Sequence, residues 1–201
     1  MNTETVFQSA AILLILGGMS ISFFFRHRAH RAGQQSGDQI STRKEERPTI
    51  YWLRSTAGLA LMLSTLAYLI NPGWMAWAQL PLPSGVRWVG AMIGLIGLPL
   101  MYWVFTSLGR NITHTTAIRR EHFLVTHGPY RWIRHPLYSA GMLNFLGLSL
   151  LTANLFIFSL ALLTFTALVL RTSQEEARLI EKFGDEYRQY MQRSGRFLPR
   201  I

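Results

Sequence analysis

Two stretches of this 201-residue chain carry residue types that do chemistry. The first reads His122-Phe-Leu-Val-Thr-His-Gly-Pro-Tyr130-Arg-Trp-Ile-Arg134-His135-Pro136-Leu-Tyr138, polar and punctuated by glycine and proline. Tyr130, Arg134 and Tyr138 recur every four residues, so a helical stretch would align them, although Pro136 argues against an unbroken helix. The second is Arg171-Thr-Ser-Gln-Glu175-Glu176, where Arg171 and Glu175 stand i,i+4 on one helical face. Each has a plain structural reading: an aromatic and arginine belt at a membrane edge, and a surface salt bridge beside an acidic first turn. Brought face to face, the two stretches would instead enclose a polar ligand, since ionisable groups at a membrane edge are functional suspects. The absence of cysteine excludes a thiol nucleophile, a disulfide framework and thiolate metal sites. Six histidines occur without a His-Glu-x-x-His pattern, so no metal is expected.

The elements that must position these groups are apolar helices. Hydrophobic residues make up 49% of the chain and charged residues 15%, against about 25% charged in soluble domains. Val6–Phe25 holds no charge, and as a helix is about 30 Å long, the thickness of a bilayer's hydrocarbon core. Glu4 before it, and Arg26-His27-Arg28 where a signal-peptide cleavage site would stand, favour an anchor over a signal peptide. Tyr51–Ile70 and Val86–Leu108 predict two further spans, with Asn71-Pro72-Gly73 and Pro81–Gly85 punctuating the connection. Gly90, Gly94 and Gly97 permit close helix contact along the third span. Leu137–Leu170 is uncharged over 34 residues, about 50 Å as one helix and too long for one crossing. A turn at Thr152-Ala153-Asn154 folds it into a tight hairpin. The expectation is an all-α integral membrane protein of about five transmembrane helices, followed by an amphipathic helix over Gln174–Arg193.

This topology accounts for the net charge of +10. Of the 20 basic residues, all but Arg87 fall on one side in the five-helix arrangement. That side is read as cytosolic and the N-terminus as outside, which leaves no need for a nucleic-acid partner. The chain divides into residues 1–108, three N-terminal spans with a basic cytosolic loop, and residues 109–201, holding the polar loop, the hairpin and the tail.

The motifs of residues 109–201 resemble the isoprenylcysteine carboxyl methyltransferase family. The resemblance rests on His122-x-Leu124-Val125, Gly128-x-Tyr130, Arg134-His135-Pro136-x-Tyr138, and Arg171-Thr-x-x-Glu175-Glu176-x-x-Leu179-x-x-x-Phe183-Gly184-x-Glu186-Tyr187-x-x-Tyr190. It implies an integral membrane enzyme using S-adenosylmethionine, held in the cytosolic C-terminal region, and a bacterial inner membrane is the expected location. Carried over by motif, His122, Leu124, Val125, Tyr130, Arg134, His135 and Glu175 would line the cofactor. Pro136 and Tyr138 belong to the same motif, and Arg171 would meet the acceptor.

The residue types suit that expectation. Glu175 would pair with a cationic group of the cofactor and Arg134 with its carboxylate, while Tyr130 and Tyr138 offer aromatic faces to a cation. The acceptor implied is lipophilic, arriving from the membrane. A carboxylate acceptor needs no general base, whereas an amine or thiol would call on His135 or His122. Phospholipid-amine or thiol methylation, sterol-type reduction with NADPH, and a scaffold binding anionic lipid are the competing readings.

Overall fold

The computed structural model describes residues 3–35, 47–109 and 123–200. Six α-helices follow one another: α1 (Thr3–Gln35), α2 (Pro48–Ile70), α3 (Ser84–Leu108), α4 (Pro136–Thr152), α5 (Leu155–Phe183) and α6 (Asp185–Arg193). No strand occurs among the described residues beyond isolated bridges at Gln79–Asn154 and Ile133–Gly195. Four helices, within α1, α2, α3 and α5, are long and apolar enough to cross a membrane. The fifth apolar helix, α4, has 17 residues and spans about 25 Å, shorter than the hydrocarbon core. Leu13, Phe23, Met62, Leu95 and Leu162 stand exposed around the bundle, as lipid-facing side chains do.

The expected hairpin is present, and its tightness has a local cause. Ala153 takes a left-handed conformation, φ 48°, and Asn154 caps α5 by accepting hydrogen bonds from the Phe156 and Ile157 amides at 3.1 Å. The Asn154 amide also donates to the Met75 carbonyl at 2.9 Å, and the Leu80 amide donates to the Ala153 carbonyl at 2.7 Å. The hairpin turn is thereby pinned to the connection between α2 and α3.

Close approach of α3 and α4 follows from glycine. A Cβ on Gly147 would stand 2.6 Å from the Gly94 backbone nitrogen, and one on Gly90 would stand 2.7 Å from the Leu151 nitrogen. Only a missing side chain lets the two backbones come this near. Around this contact α1 packs against α3 and α4 through Phe7, Ala11 and Leu14. On the other flank α2 packs against α5 through Leu61, Tyr68, Ile157 and Ala161.

The tail departs from the expectation of one helix over Gln174–Arg193. Instead α5 runs unbroken from the hairpin to Phe183, and the chain turns at Gly184, φ 55°. Glycine adopts that positive φ without a Cβ penalty, so α6 folds back under the end of α5. Its Tyr187 and Tyr190 are buried, which makes α6 a packed helix over the polar loop and gives its apolar face a protein partner.

Candidate active site

The polar loop packs against the end of α3. Gly128 sits at φ 59°, and a Cβ there would collide with the Ser107 hydroxyl oxygen. The tight approach needs glycine twice over, for its φ and for its size. Gly128–Arg131 makes one 3-10 turn with Pro129 near its start. Pro136 then opens α4 at its first turn, where a missing amide hydrogen costs nothing.

The chain's last segment closes over this loop. The Arg134 amide donates to the Gly195 carbonyl at 2.8 Å, the His135 amide to the Arg196 carbonyl at 3.0 Å, and the Gly195 amide to the Trp132 carbonyl at 2.9 Å. Tyr190 donates its hydroxyl to the Tyr130 carbonyl at 2.6 Å, tying α6 to the turn. Burial pushes the Tyr190 phenol up to about 12, so it remains a donor at neutral pH.

The two stretches singled out in the sequence meet here, through two adjacent acids of α5. Glu175 accepts a hydrogen bond from the Tyr138 hydroxyl at 2.9 Å. Glu176 is a hub: its Oε1 takes the Arg134 Nε at 3.0 Å and the His135 Nε2 at 3.1 Å, and its Oε2 takes an Arg196 guanidinium nitrogen at 3.0 Å. Arg134 also donates to the carbonyls of Met191 and Ser194. Its Nε and one of its two terminal nitrogens are therefore engaged from within the chain. Neighbouring positions on a helix point about 100° apart, so one acid braces the loop while the other faces Tyr138.

The remaining expected residues fall as follows. Val125 and Tyr130 are buried together against Val104, and Leu124 is half-buried beside them. Burial, reinforced by the charge of Glu175, holds the Tyr130 phenol well above its ordinary range. Arg171 is buried one turn before Glu175. Arg26 of α1 lies within electrostatic reach of both Arg171 and Tyr138. His122 lies outside the described residues. Sequence reasoning names Glu176 within the second stretch but gives no site role to it or to Arg196, Ser194 or Arg26. The doubled acid is the visible signal for Glu176; Arg26 and Arg196 read along the chain only as membrane-side charge.

A family profile described as Phospholipid methyltransferase matches residues 86–186, half of the chain. A probable protein-S-isoprenylcysteine O-methyltransferase of Oryza sativa subsp. indica is 34% identical over 123 residues, 58% of this chain and 62% of that protein. The protein-S-isoprenylcysteine O-methyltransferase of Schizosaccharomyces pombe is 37% identical over 111 residues, 53% of this chain and 46% of that protein. The matches thus span less than two thirds of either relative. A solved structure described as the eukaryotic intramembrane Ras methyltransferase, isoprenylcysteine carboxyl methyltransferase, shares the fold. It has a TM-score of 0.52 at 21% identity and covers 96% of this chain and 68% of its own. The profile takes in nearly all of α3, the loop, the hairpin and all of α5, elements that build much of the site, and the chain belongs to the phospholipid methyltransferase family, alongside the isoprenylcysteine O-methyltransferases.

Proposed function

We propose that this chain is an S-adenosylmethionine-dependent membrane methyltransferase whose acceptor is the carboxylate of a lipophilic molecule, as in isoprenylcysteine O-methylation. The observation that carries the reading is Glu175, its carboxylate oriented by the Tyr138 hydroxyl, with Arg171 one helical turn away on the same α5 face. The donor set fits the cofactor: a carboxylate among Tyr130 and Tyr138 suits a molecule bearing a sulfonium and an ammonium. When bound, that cofactor supplies a methyl group already activated for in-line displacement.

The protein's part is alignment and exclusion of water. Glu175 holds the cationic end of the cofactor, with Tyr138 fixing its rotamer. Leu124, Val125, Tyr130 and Pro136 would line the cofactor, as their place in the motif implies. Arg134 and His135, joined to Glu176, act as positioning residues that lock the loop to α5 and to the C-terminal segment. Arg171 receives the acceptor carboxylate, for which a guanidinium fork is the natural mate. An ionised carboxylate attacks without losing a proton. An ammonium acceptor would need a base, and His135 has its Nε2 engaged by Glu176, which favours the carboxylate.

The acceptor enters from the lipid, and the site end of the bundle faces the cytosol, where the basic residues gather. Calorimetric titration of the purified chain with S-adenosylhomocysteine tests the cofactor; a folded protein that does not bind it overturns the reading. Glu175→Ala should weaken that binding at least tenfold. Arg171→Ala should spare it while abolishing transfer of tritiated methyl to N-acetyl-S-farnesylcysteine. Label appearing in extracted phospholipid instead would identify the amine as the acceptor.

A further inference from the structure

Two neighbouring residues of the polar loop take no part in the site. Arg131 and Trp132 are exposed, and the Trp132 indole meets Trp103 of α3 edge-on, with ring centroids 6.0 Å apart. The Arg131 guanidinium carbon stands 5.6 Å from the centroid of the Trp132 ring. Behind this ledge the backbone is tied down: the Trp132 amide donates to the Pro129 carbonyl at 3.2 Å, and its carbonyl accepts from the Gly195 amide at 2.9 Å. Both indoles nevertheless stay nearly half exposed, Trp132 at 46% and Trp103 at 44%.

Trp103 fixes the depth of this ledge. Trp88, Met92, Leu95, Ile96 and Trp103 are all exposed and fall on one face of α3 at about 100° per residue. They make a lipid-facing stripe with an indole at each end, as aromatic residues mark the two boundaries of a bilayer. Trp103 stands five residues before the end of α3, about 7.5 Å along its axis, and Trp132 reaches it from the loop. The edge of the loop therefore sits at the membrane boundary, at the end of the bundle that carries the site. Charge says what settles there. From Phe123 to Pro136 the chain has no Asp or Glu. Among the described residues Arg131 makes no hydrogen bond and no ion pair, whereas Arg134, three residues on, is held by Glu176. A guanidinium without a carboxylate, over an indole at headgroup depth, is matched by a phosphodiester. A zwitterionic headgroup brings its own ammonium to the same place; an anionic one does not, and is preferred.

We propose that Trp103, Arg131 and Trp132 form a seat for the headgroup of an anionic phospholipid, the guanidinium taking the phosphodiester and the two indoles the ester boundary beneath it. Arg134 and His135 follow directly in the chain, so a lipid held at this seat fixes the depth of the site loop in the bilayer. The inference needs the membrane setting and not the cofactor assignment.

The test is native mass spectrometry of the full chain in detergent, titrated with phosphatidylglycerol or with phosphatidylcholine of the same acyl chains. The parent should bind the first phosphatidylglycerol about fivefold more tightly than the first phosphatidylcholine, the worth of one arginine at a membrane surface. Arg131→Gln should erase that preference, and Arg131→Lys, which keeps the charge, should retain most of it. Arg188→Gln, at an arginine already paired with Asp185 at 2.8 Å, should leave it intact. Trp132→Ala should weaken the binding of both lipids, and no change there overturns the inference. Equal binding of the two lipids by the parent overturns it as well, as does a preference that survives Arg131→Gln. Equal loss in the Gln and Lys variants marks a disturbed loop and has the same consequence. Soluble glycerol phosphate should not displace the lipid; displacement would mean a site for free phosphate and would refute the lipid seat. None of these outcomes reads the cofactor, so a failure here is distinct from a failure of the methyltransferase reading.

Discussion

Replacing Glu4 with alanine should destabilise the bundle from the end opposite the site. Arg87, the basic residue that stands apart from the rest, is 7% exposed and held from four directions. Glu4 binds it with both oxygens, at 2.7 and 2.9 Å. The Tyr68 hydroxyl accepts from it at 3.1 Å, the Leu151 carbonyl from its Nε at 2.9 Å, and the Phe7 ring lies 3.8 Å beneath. Tyr68 also donates to Glu4 at 2.7 Å. The cluster joins α1, α2, α3 and the end of α4. Removing one partner of a buried pair costs about 3–5 kcal/mol, because the other charge is stranded. The Glu4 side chain is 27% exposed, which places Glu4→Ala at the lower end, about 3 kcal/mol. For a chain of this size that is a Tm loss of about 6–12 °C, readable by tryptophan fluorescence in detergent. Adding Arg87→Met removes the stranded charge, so the double variant should recover at least half of the loss. A single variant within 2 °C of the parent, or a double variant worse than the single, would refute the reasoning.

Two further outcomes test the packing and the hub. Gly147→Val forces a side chain into the Gly94 backbone and should cost about 1–3 kcal/mol or more, seen as lost yield and Tm. Gly141→Ala, with nothing within 4 Å of its new carbon, should stay within about 1 kcal/mol of the parent. Glu176→Gln removes the charge shared by Arg134, His135 and Arg196. It should weaken S-adenosylhomocysteine binding about tenfold through a loosened loop, an order expected when charge-assisted bonds are lost, and broaden the hydrogen exchange of residues 128–136.

The apolar spans and the hairpin turn were legible in the sequence because each is a local property. A run such as Val6–Phe25 has no charge to hide, and Asn154 caps a helix whatever surrounds it. The family motifs likewise named the loop and the Arg171–Glu175 face, since fixed spacing is written along the chain. Arg134, His135 and Tyr138 lie about forty residues from the acids of α5 in sequence; bringing them together depended on the hairpin and on the glycine contact between α3 and α4. Which acid meets Tyr138 and which meets Arg134 and His135 was decided by the rotation of α5 about its axis, set by its packing against α2. The same holds for Arg87, an exception in the charge pattern until Glu4 and Tyr68 were seen beside it. Sequence sets which groups a segment carries and how regular it is; the direction a side chain points, and what it is left facing, is a property of the packed helices together.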